Sequence, residues 1–309
     1  MAHSATEDHA PTLPPGVFAA ALTPLHPDLA IDHEAYAEHC RWLLASGCDG
    51  LAPMGTTGEA NSFSVAERIE ALERLIDAGI PAAKLLVGTG CSAIPDTVAL
   101  TRHAVALGAA GVLALPPFYY KNVSDDGVYA AYDQVIQRVG DAGLKLYLYN
   151  IPQMSGVALG HALIGRLTKK YPHTVVGMKD SSGDWNHMKT ACEMFPGFRV
   201  YAGTEKYLLA IVRAGGVGCI SATTNVTCAL AGQLYAKRSS NEADALQQVL
   251  TKVRDTIEQY PVIAALKRLT AARTGRDRWR VPRPPHLPLD DERFEHLKAD
   301  LERLGFVPP

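Results

Sequence analysis

The chain has 309 residues with 30 basic and 32 acidic side chains, and 47% of its residues are hydrophobic. Such a composition can bury a large core, and the formal charge of −2, without a basic block, argues against nucleic acid as a partner. The N-terminus lacks the apolar core of a signal peptide, and Arg213 interrupts the apolar stretch 208–220, so we expect a cytoplasmic protein that does not enter a membrane.

Short β-rich runs alternate with helical patterns along the chain, which predicts successive βα units and a parallel sheet. The eight runs are 17–22, 50–54, 84–88, 111–115, 145–149, 175–179, 199–202 and 218–221. Several runs, such as GVLAL at 111–115, are apolar without alternation, which is typical of strands covered on both faces. The pattern therefore predicts an α/β fold, a (β/α)₈ TIM barrel with a C-terminal helical extension.

Helical patterns separate the runs and continue beyond the eighth. Ser64 and Glu67 have the spacing of a capping box for a helix over 64–78. Four more patterns follow the last run, at 229–238, 242–259, 262–273 and 290–304. The proline-rich linker 281–289 is expected to be extended. We divide the chain into a disordered or extended segment 1–15, a catalytic barrel 16–227 and a C-terminal helical extension 228–309.

Lys179 closes the sixth run, and active sites of (β/α)₈ barrels lie at the C-terminal ends of their strands. A lysine in such a position loses hydration, which favours the neutral amine that attacks carbonyl groups. The alternative is structural, an ion pair with Asp180 or another carboxylate at a strand end. Lys179 alone does not decide between these two roles.

Polar residues follow three other runs at the same end of the predicted barrel. The turn GTTGE at 55–59 has two glycines and two hydroxyls, and its consecutive amides can hold an anionic group such as a carboxylate. Its spacing is not that of a nucleotide-binding P-loop. Tyr149 ends the fifth run, where a phenol can relay protons or can simply be a packed aromatic. PPFYY at 116–120 supplies further hydroxyls, with packing or an interface as its alternative role.

Five motifs occur together and in a fixed order: GTTGE at 55–59, PPFYY at 116–120, YNIP at 149–152, GMKD at 177–180, and AG at 202–203 followed by CISATTNV at 219–226. In these motifs the chain resembles the dihydrodipicolinate synthase and N-acetylneuraminate lyase family of class I aldolases, from about Gly16 to Leu289. The resemblance implies a (β/α)₈ enzyme that forms a lysine Schiff base with pyruvate or a related 2-keto acid. It implies neither a cofactor nor a metal ion.

The resemblance also implies roles for single residues. Lys179 would form the imine, and Tyr149 would act as the general acid and base beside it. Thr56 and Tyr120 would complete a proton relay, with Tyr120 donated across a dimer interface and Tyr119 as its substitute if the register is shifted by one. The other residues that the resemblance places at the substrate are Thr57, Gly55, Gly203, Ile220 and Glu205. A homotetramer built from two dimers is the assembly it implies.

Three positions bear on the branch of the family. Dihydrodipicolinate synthases have an arginine for the carboxylate of aspartate semialdehyde two residues after the YNxP proline, where this chain has Met154. A methionine cannot replace a charge-assisted pair. The run YNIPQMSGV is closer to the sialic-acid lyase and keto-deoxy sugar-acid aldolase branch, but the paired acidic residues of that lyase are here Glu205 and Lys206. Lys206 is either a solvated lysine or a partner for a second acidic group on the substrate.

We therefore expect a lyase or aldolase that acts on a 2-keto-3-deoxy or 4-hydroxy-2-keto acid, with a pyruvate-like 2-keto acid and an aldehyde as its small-molecule partners. One alternative is dihydrodipicolinate synthase itself, and another is a keto-deoxy sugar-acid dehydratase that uses the same residues. A metal-dependent aldolase would need clustered His and carboxylate ligands, whereas the histidines fall mainly in helices and termini. A non-catalytic keto-acid-binding protein on the same scaffold is the remaining alternative.

Overall fold

A computed structural model describes residues 13–307 and contains eight parallel strands that alternate with helices. The strands are β1 Gly16–Ala19, β2 Gly50–Leu51, β3 Leu86–Gly88, β4 Gly111–Ala114, β5 Leu146–Asn150, β6 Val175–Asp180, β7 Arg199–Ala202 and β8 Gly218–Ser221. Each strand pairs with its neighbours in chain order, and β1 also pairs with β8. A parallel bridge between Leu51 and Leu85 joins β2 to the start of β3 and closes the ring. The predicted (β/α)₈ barrel is confirmed.

Twelve α-helices occur within residues 13–307. They are α1 His33–Ala45, α2 Val65–Asp77, α3 Ile94–Ala106, α4 Asp125–Val139, α5 Pro152–Ser155, α6 His161–Lys170, α7 Trp185–Met194, α8 Leu208–Arg213, α9 Thr224–Ala236, α10 Ala243–Glu258, α11 Val262–Thr274 and α12 Asp291–Arg303. The predicted capping box starts α2, where the Ser64 hydroxyl accepts from Glu67 N and the Glu67 carboxylate accepts from Ser64 N. Among these helices, none is long and apolar enough to cross a bilayer. All six cysteines are free thiols.

Aromatic rings fill the interior of the barrel. The ring of Tyr201 lies edge-on to Phe18 and Tyr147, with centroid distances of 5.6 and 6.0 Å. Glycines on adjacent strands make room for these rings, since a Cβ on Gly177 would lie 2.6 Å from the Tyr147 ring and one on Gly50 would lie 2.1 Å from Phe18. The interior is therefore a packed core, and a ligand can reach the barrel only at its ends.

The C-terminal helices form a second apolar cluster against the barrel. Its buried members include Val253 of α10, Leu266 of α11 and Leu297 of α12. Helix α9 is continuous across position 228, where the sequence placed the start of the extension, and it contacts β1 and β8 as the eighth barrel helix. We therefore propose that the extension begins after α9. The segment 281–289 has no regular secondary structure beyond a turn, as the prolines predicted.

Residues 1–12 of the predicted N-terminal segment 1–15 lie outside the part of the chain that the structure describes. Leu13 and Pro14 pack on the barrel, because Leu13 is fully buried and the Pro14 carbonyl accepts a hydrogen bond of 2.8 Å from Tyr201 Oη. This contact attaches the segment to the end of the barrel at which the strands begin.

Candidate active site

Lys179 and Tyr149 lie side by side on neighbouring strands. They are paired in register between β6 and β5, and the alternation of side chains turns both towards the barrel axis. Lys179 is 5% exposed, and its Nζ lies over the Tyr149 ring, 4.5 Å from the ring centroid. The two strands thus bring an amine and a phenol together at the C-terminal end of the barrel, as the sequence predicted.

The environment of Tyr149 favours its ionised form. Burial on its own raises the pKa of the phenol, but the Lys179 charge and hydrogen bonds from Thr56, Lys179 and Ser181 outweigh burial and lower the pKa below its usual value. The Thr56 hydroxyl lies 3.3 Å from Tyr149 Oη, within hydrogen-bond distance. The phenol therefore releases its proton more readily than an ordinary tyrosine, which suits a group that acts as a general base and acid.

The GTTGE turn lies beside the phenol and the amine. Its backbone is closed by hydrogen bonds from Glu59 N to Thr56 O and from Ala60 N to Gly55 O. No oxygen within residues 13–307 accepts a hydrogen bond from Thr56 N or Thr57 N. These two amides and the adjacent hydroxyls can therefore bind a carboxylate, as predicted for this turn.

Asp180 follows Lys179 on β6 and points to the opposite face of the strand. Its carboxylate is buried and is held by His187 Nδ1 at 2.6 Å, Ser182 N at 2.8 Å and Asn150 Nδ2 at 3.1 Å. These contacts belong to the layer between the barrel and α7. The ion pair between Lys179 and Asp180 that we weighed from the sequence is therefore not formed.

A cavity of about 480 Å³ opens at this end of the barrel. It brings together six of the residues that carry the argument: Thr56, Thr57, Tyr149, Lys179, Ser181 and Gly203. Gly203 has no room for a side chain, because a Cβ there would lie 2.0 Å from the Ser181 hydroxyl. Gly55 lines a smaller adjoining pocket next to Tyr149 rather than the main cavity.

The structure places three of the predicted site residues away from the cavity. Ile220 is fully buried among the rings inside the barrel, below the cavity floor. Glu205 is also fully buried, because its carboxylate is held by Arg254 and by the hydroxyls of Ser221 and Thr223. Tyr120 is 75% exposed on the loop after β4, outside the lining of the main cavity.

Two charged cavity residues come from the C-terminal extension and carried no motif in the sequence. Arg254 and Glu258 lie one turn apart on α10, and Arg254 Nη2 donates to Glu258 Oε1 at 2.9 Å. Lys206, the third charged residue of this wall, has its Nζ 2.6 Å from Asp255 and 3.3 Å from Glu258. Within residues 13–307, no group of three or more His, Cys, Asp or Glu side chains is arranged to hold a metal ion.

The structure thus defines the class of protein. It is a (β/α)₈ barrel with an amine, a phenol and a threonine turn at its C-terminal end. The sequence of residues 13–304 matches the family described as the dihydrodipicolinate synthetase family. Over 299 residues the chain is 35% identical to a DapA-like lyase of Chloroflexus aurantiacus, which covers 94% of this chain and 97% of the relative. The chain therefore belongs to the dihydrodipicolinate synthetase family, and it is an enzyme of the lyase and aldolase type.

Solved structures of this family are closely similar. The dihydrodipicolinate synthase of Agrobacterium tumefaciens has a TM-score of 0.87 at 31% identity, covering 94% of this chain and 99% of that one. The YagE protein of E. coli, solved in complex with pyruvate, has a TM-score of 0.85 at 26% identity, covering 95% of this chain and 99% of that one. The barrel and its extension are thus shared along nearly the whole length of both proteins.

Proposed function

We propose that this protein is a class I aldolase or lyase in which Lys179 forms a Schiff base with pyruvate or a related 2-keto acid. The observation that carries the proposal is the position of the Lys179 amine, which is buried at the cavity floor and 4.5 Å from the centre of the Tyr149 ring. Pyruvate bound to the similar YagE protein supports a keto acid as the ligand.

The proposed cleavage uses residues already in contact. The neutral Lys179 amine adds to the C2 carbonyl, and loss of water leaves a protonated imine that accepts electrons from the adjacent carbon. Tyr149 takes the proton from the C4 hydroxyl, the bond between C3 and C4 breaks, and its electron pair forms an enamine while the aldehyde leaves. Protonation at C3 and hydrolysis of the imine then release the keto acid. Thr56 and Thr57 hold its carboxylate throughout.

The proposed substrate is a 2-keto-3-deoxy or 4-hydroxy-2-keto acid. Met154 lines the cavity and is 68% exposed, at the position where dihydrodipicolinate synthases have their arginine. A thioether cannot form the charge-assisted hydrogen bonds that a second substrate carboxylate needs. We therefore favour a carbon–carbon lyase for a sugar-derived acid over dihydrodipicolinate synthase, with a dehydratase as the second candidate because it would use the same imine.

Turnover of a panel of hydroxylated 2-keto acids tests this function, with pyruvate release followed by a coupled dehydrogenase. We expect release by the wild type and none above background by Lys179→Arg. Release that a chelator abolishes would point to a metal-dependent aldolase, and water loss without pyruvate would point to the dehydratase. Binding of keto acids without any turnover would contradict the proposal in favour of a non-catalytic keto-acid-binding protein.

We further propose a cytoplasmic homotetramer in which Tyr120 completes the relay of a neighbouring subunit. Tyr119 and Tyr120 are 73% and 75% exposed and stack edge-on, with ring centroids 5.2 Å apart. Two adjacent exposed aromatic rings are typical of a surface that is covered by a partner. A second copy of the chain would bring Tyr120 to the Thr56 and Tyr149 pair of its neighbour.

A further inference from the structure

The main cavity extends well beyond the space that the reacting carbons of a keto acid need. Its volume of about 480 Å³ lies within the range of about 300–1,000 Å³ that is typical of sites for larger ligands. Lys179 and the Thr56–Thr57 turn lie on one side, and Lys206, Arg254 and Glu258 also line the cavity. In the proposed lyase, these three charged residues are the candidates for contact with the part of the substrate that leaves as the aldehyde.

Both cations of this wall are already paired with carboxylates. Lys206 Nζ is held by Asp255 at 2.6 Å and by Glu258 at 3.3 Å, and the hydrogen bond to Asp255 raises the pKa of the ammonium. Arg254 Nη1 pairs with the buried Glu205 at 3.1 Å, and its Nη2 pairs with Glu258 at 2.9 Å. Arg254 Nε has no hydrogen-bond partner among the described residues. Because this atom is buried, a ligand in the cavity cannot reach it.

The cluster of ion pairs at this wall has an excess of negative charge, and Glu258 is its one carboxylate among the residues that line the cavity. Two cations, Lys206 and Arg254, face three carboxylates, those of Glu205, Asp255 and Glu258, which leaves a net charge of −1. A second carboxylate on the substrate would have to displace one of these partners and would be repelled by the others. A hydroxyl group would instead donate a hydrogen bond to a carboxylate whose position is already fixed.

Glu258 is the carboxylate that is placed for this contact. It lies at the C-terminal end of α10, its side chain is 36% exposed, and it lines the cavity. Asp255 is absent from the cavity lining, and the Glu205 carboxylate is enclosed by Arg254 and neighbouring hydroxyls. Ion pairs with Lys206 and Arg254 hold the Glu258 carboxylate in place while leaving it open to the cavity.

We propose that Glu258 determines specificity for the leaving part of the substrate, accepting hydrogen bonds from its hydroxyl groups and disfavouring a second carboxylate there. This inference rests on the proposed lyase function. It names the chemical groups of the substrate that the wall formed by Lys206, Arg254 and Glu258 accepts. It also gives Lys206 a structural role, because that lysine neutralises Glu258 and Asp255 instead of binding the substrate.

Two substrates of similar length test the proposal in the wild type, a hydroxylated monocarboxylic 2-keto acid and a 4-hydroxy-2-keto dicarboxylic acid. We expect a higher kcat/KM for the hydroxylated acid. In Glu258→Gln, loss of the charged acceptor should lower that kcat/KM by about 10-fold or more, mainly through KM. The same change should raise kcat/KM for the dicarboxylic acid, because one negative charge is removed.

Asp255→Asn is the matched control, since it removes a neighbouring carboxylate on α10 that pairs with Lys206 outside the cavity. It should change the ratio of the two kcat/KM values by less than about twofold, as expected for a solvent-exposed ion pair. An equal change in the ratio in both variants would overturn the specific role of Glu258.

Reductive trapping with pyruvate and borohydride separates this inference from the proposed function. If wild-type protein forms the Lys179 adduct but prefers the dicarboxylic acid, the inference about Glu258 is wrong and the lyase function stands. If no adduct forms, the function itself fails. If Glu258→Gln does not fold, the preference of the wild type between the two substrates still tests the proposal.

Discussion

At the scale of single residues, the proposed chemistry depends on two neighbouring side chains, the Lys179 amine and the Tyr149 phenol. The Lys179 charge is the strongest influence that lowers the pKa of the Tyr149 phenol against its burial. In the proposed Schiff base of Lys179, the same phenol would lie beside the atoms that gain and lose protons. A tyrosine two residues earlier on the same strand, Tyr147, points into the barrel without a hydrogen-bond partner for its hydroxyl among the described residues.

Tyr149→Phe should therefore lower kcat by about 10²–10⁴-fold, the usual contribution of a general acid or base. The KM for the hydroxylated 2-keto acid should change little, because the carboxylate contacts of the threonine turn remain. Tyr147→Phe removes an equivalent hydroxyl from the same strand and should leave kcat within a factor of about two, since no hydrogen bond is lost. Steady-state kinetics of both variants check this, and a similar loss in the two would contradict the proposed relay.

Some of these residues could be predicted from the sequence, and others could not. Lys179, Tyr149 and Thr56 end or follow strands, so barrel topology alone brings them to one mouth. Arg254 and Glu258 lie four positions apart on an amphipathic helix, a spacing that surface ion pairs share. Only tertiary packing turns that helix towards the cavity. The local sequence therefore did not indicate that Arg254 and Glu258 line it.

At the scale of elements, a buried ion pair connects the extension to the active-site turn. Lys267 of α11 and Glu59 of the GTTGE turn are both fully buried and form an ion pair. Lys267 Nζ also donates to Val281 O at 2.7 Å, and Glu59 accepts a hydrogen bond of 2.6 Å from Arg283 N. Glu59 has a left-handed backbone with φ of 58°, a conformation that surrounding contacts must hold for a residue with a side chain.

Lys267→Met should destabilise the protein by about 3–5 kcal/mol, because it leaves the Glu59 charge buried without its partner. The double variant Glu59→Gln with Lys267→Met should recover part of that loss. Lys298→Met removes an exposed ion pair with Glu295 and should change stability by less than about 1 kcal/mol. Urea unfolding measures all three, and equal losses in Lys267→Met and Lys298→Met would be incompatible with a buried pair that holds the turn.

A second connection joins β6 to α7 and depends on pH. The hydrogen bond to Asp180 raises the pKa of His187 above the ordinary value of 6.5. Burial alone raises the pKa of Asp180, but hydrogen bonds from His187, Ser182 and Asn150 outweigh it and lower that pKa below 3.8. The histidine contribution to stability is thus complete below pH 6.5 and is lost as the pH rises through the raised pKa.

The melting temperature should therefore fall in wild type as the pH rises from 6.5 through the raised pKa of His187. His187→Gln should melt lower than wild type at pH 6, and the difference should shrink as the pH rises. His173→Gln, a change at an exposed position before β6, should leave the wild-type pH curve unaltered. A difference between wild type and His187→Gln that is constant across this range would rule out a charged pair.

Element boundaries show the limits of prediction at this scale. The eight predicted strands all occur, because buried β-rich runs between helices leave few other topologies. Helix α9 starts at Thr224, five residues before the predicted pattern, within a polar run that resembles a loop. Asn225 is accommodated there because its side chain accepts from Leu22 N and donates to Ala20 O. Hydrogen bonds between a buried amide side chain and residues far away in the sequence cannot be inferred from local sequence.

At the scale of the whole molecule, the barrel and the extension form one catalytic unit. The extension supplies Arg254 and Glu258 to the cavity and Lys267 to the turn. Tyr119 and Tyr120 are exposed side by side, and the contacts of a single chain do not explain why. An assembly of several copies would cover them and would make each cavity depend on a neighbour.

Mixed oligomers test whether Tyr120 acts across subunits. Lys179→Arg and Tyr120→Phe should each be nearly inactive alone. After both are unfolded, mixed and refolded together, hybrids should regain activity, because a subunit with an intact Lys179 can receive Tyr120 from its neighbour. Pairing Lys179→Arg with Tyr149→Phe gives the matched mixture without rescue, since both defects lie in the same cavity. Absence of recovery in the first mixture would place Tyr120 outside the relay.

The most direct test of the central claim is the site of reductive trapping. Incubation with pyruvate and borohydride, followed by peptide mass spectrometry, should find a single reduced pyruvate adduct on Lys179 and none on Lys206 or Lys267. The same treatment of Lys179→Arg should leave the protein unmodified. An unmodified Lys179 in active wild-type protein, or an adduct on another lysine, would contradict the account.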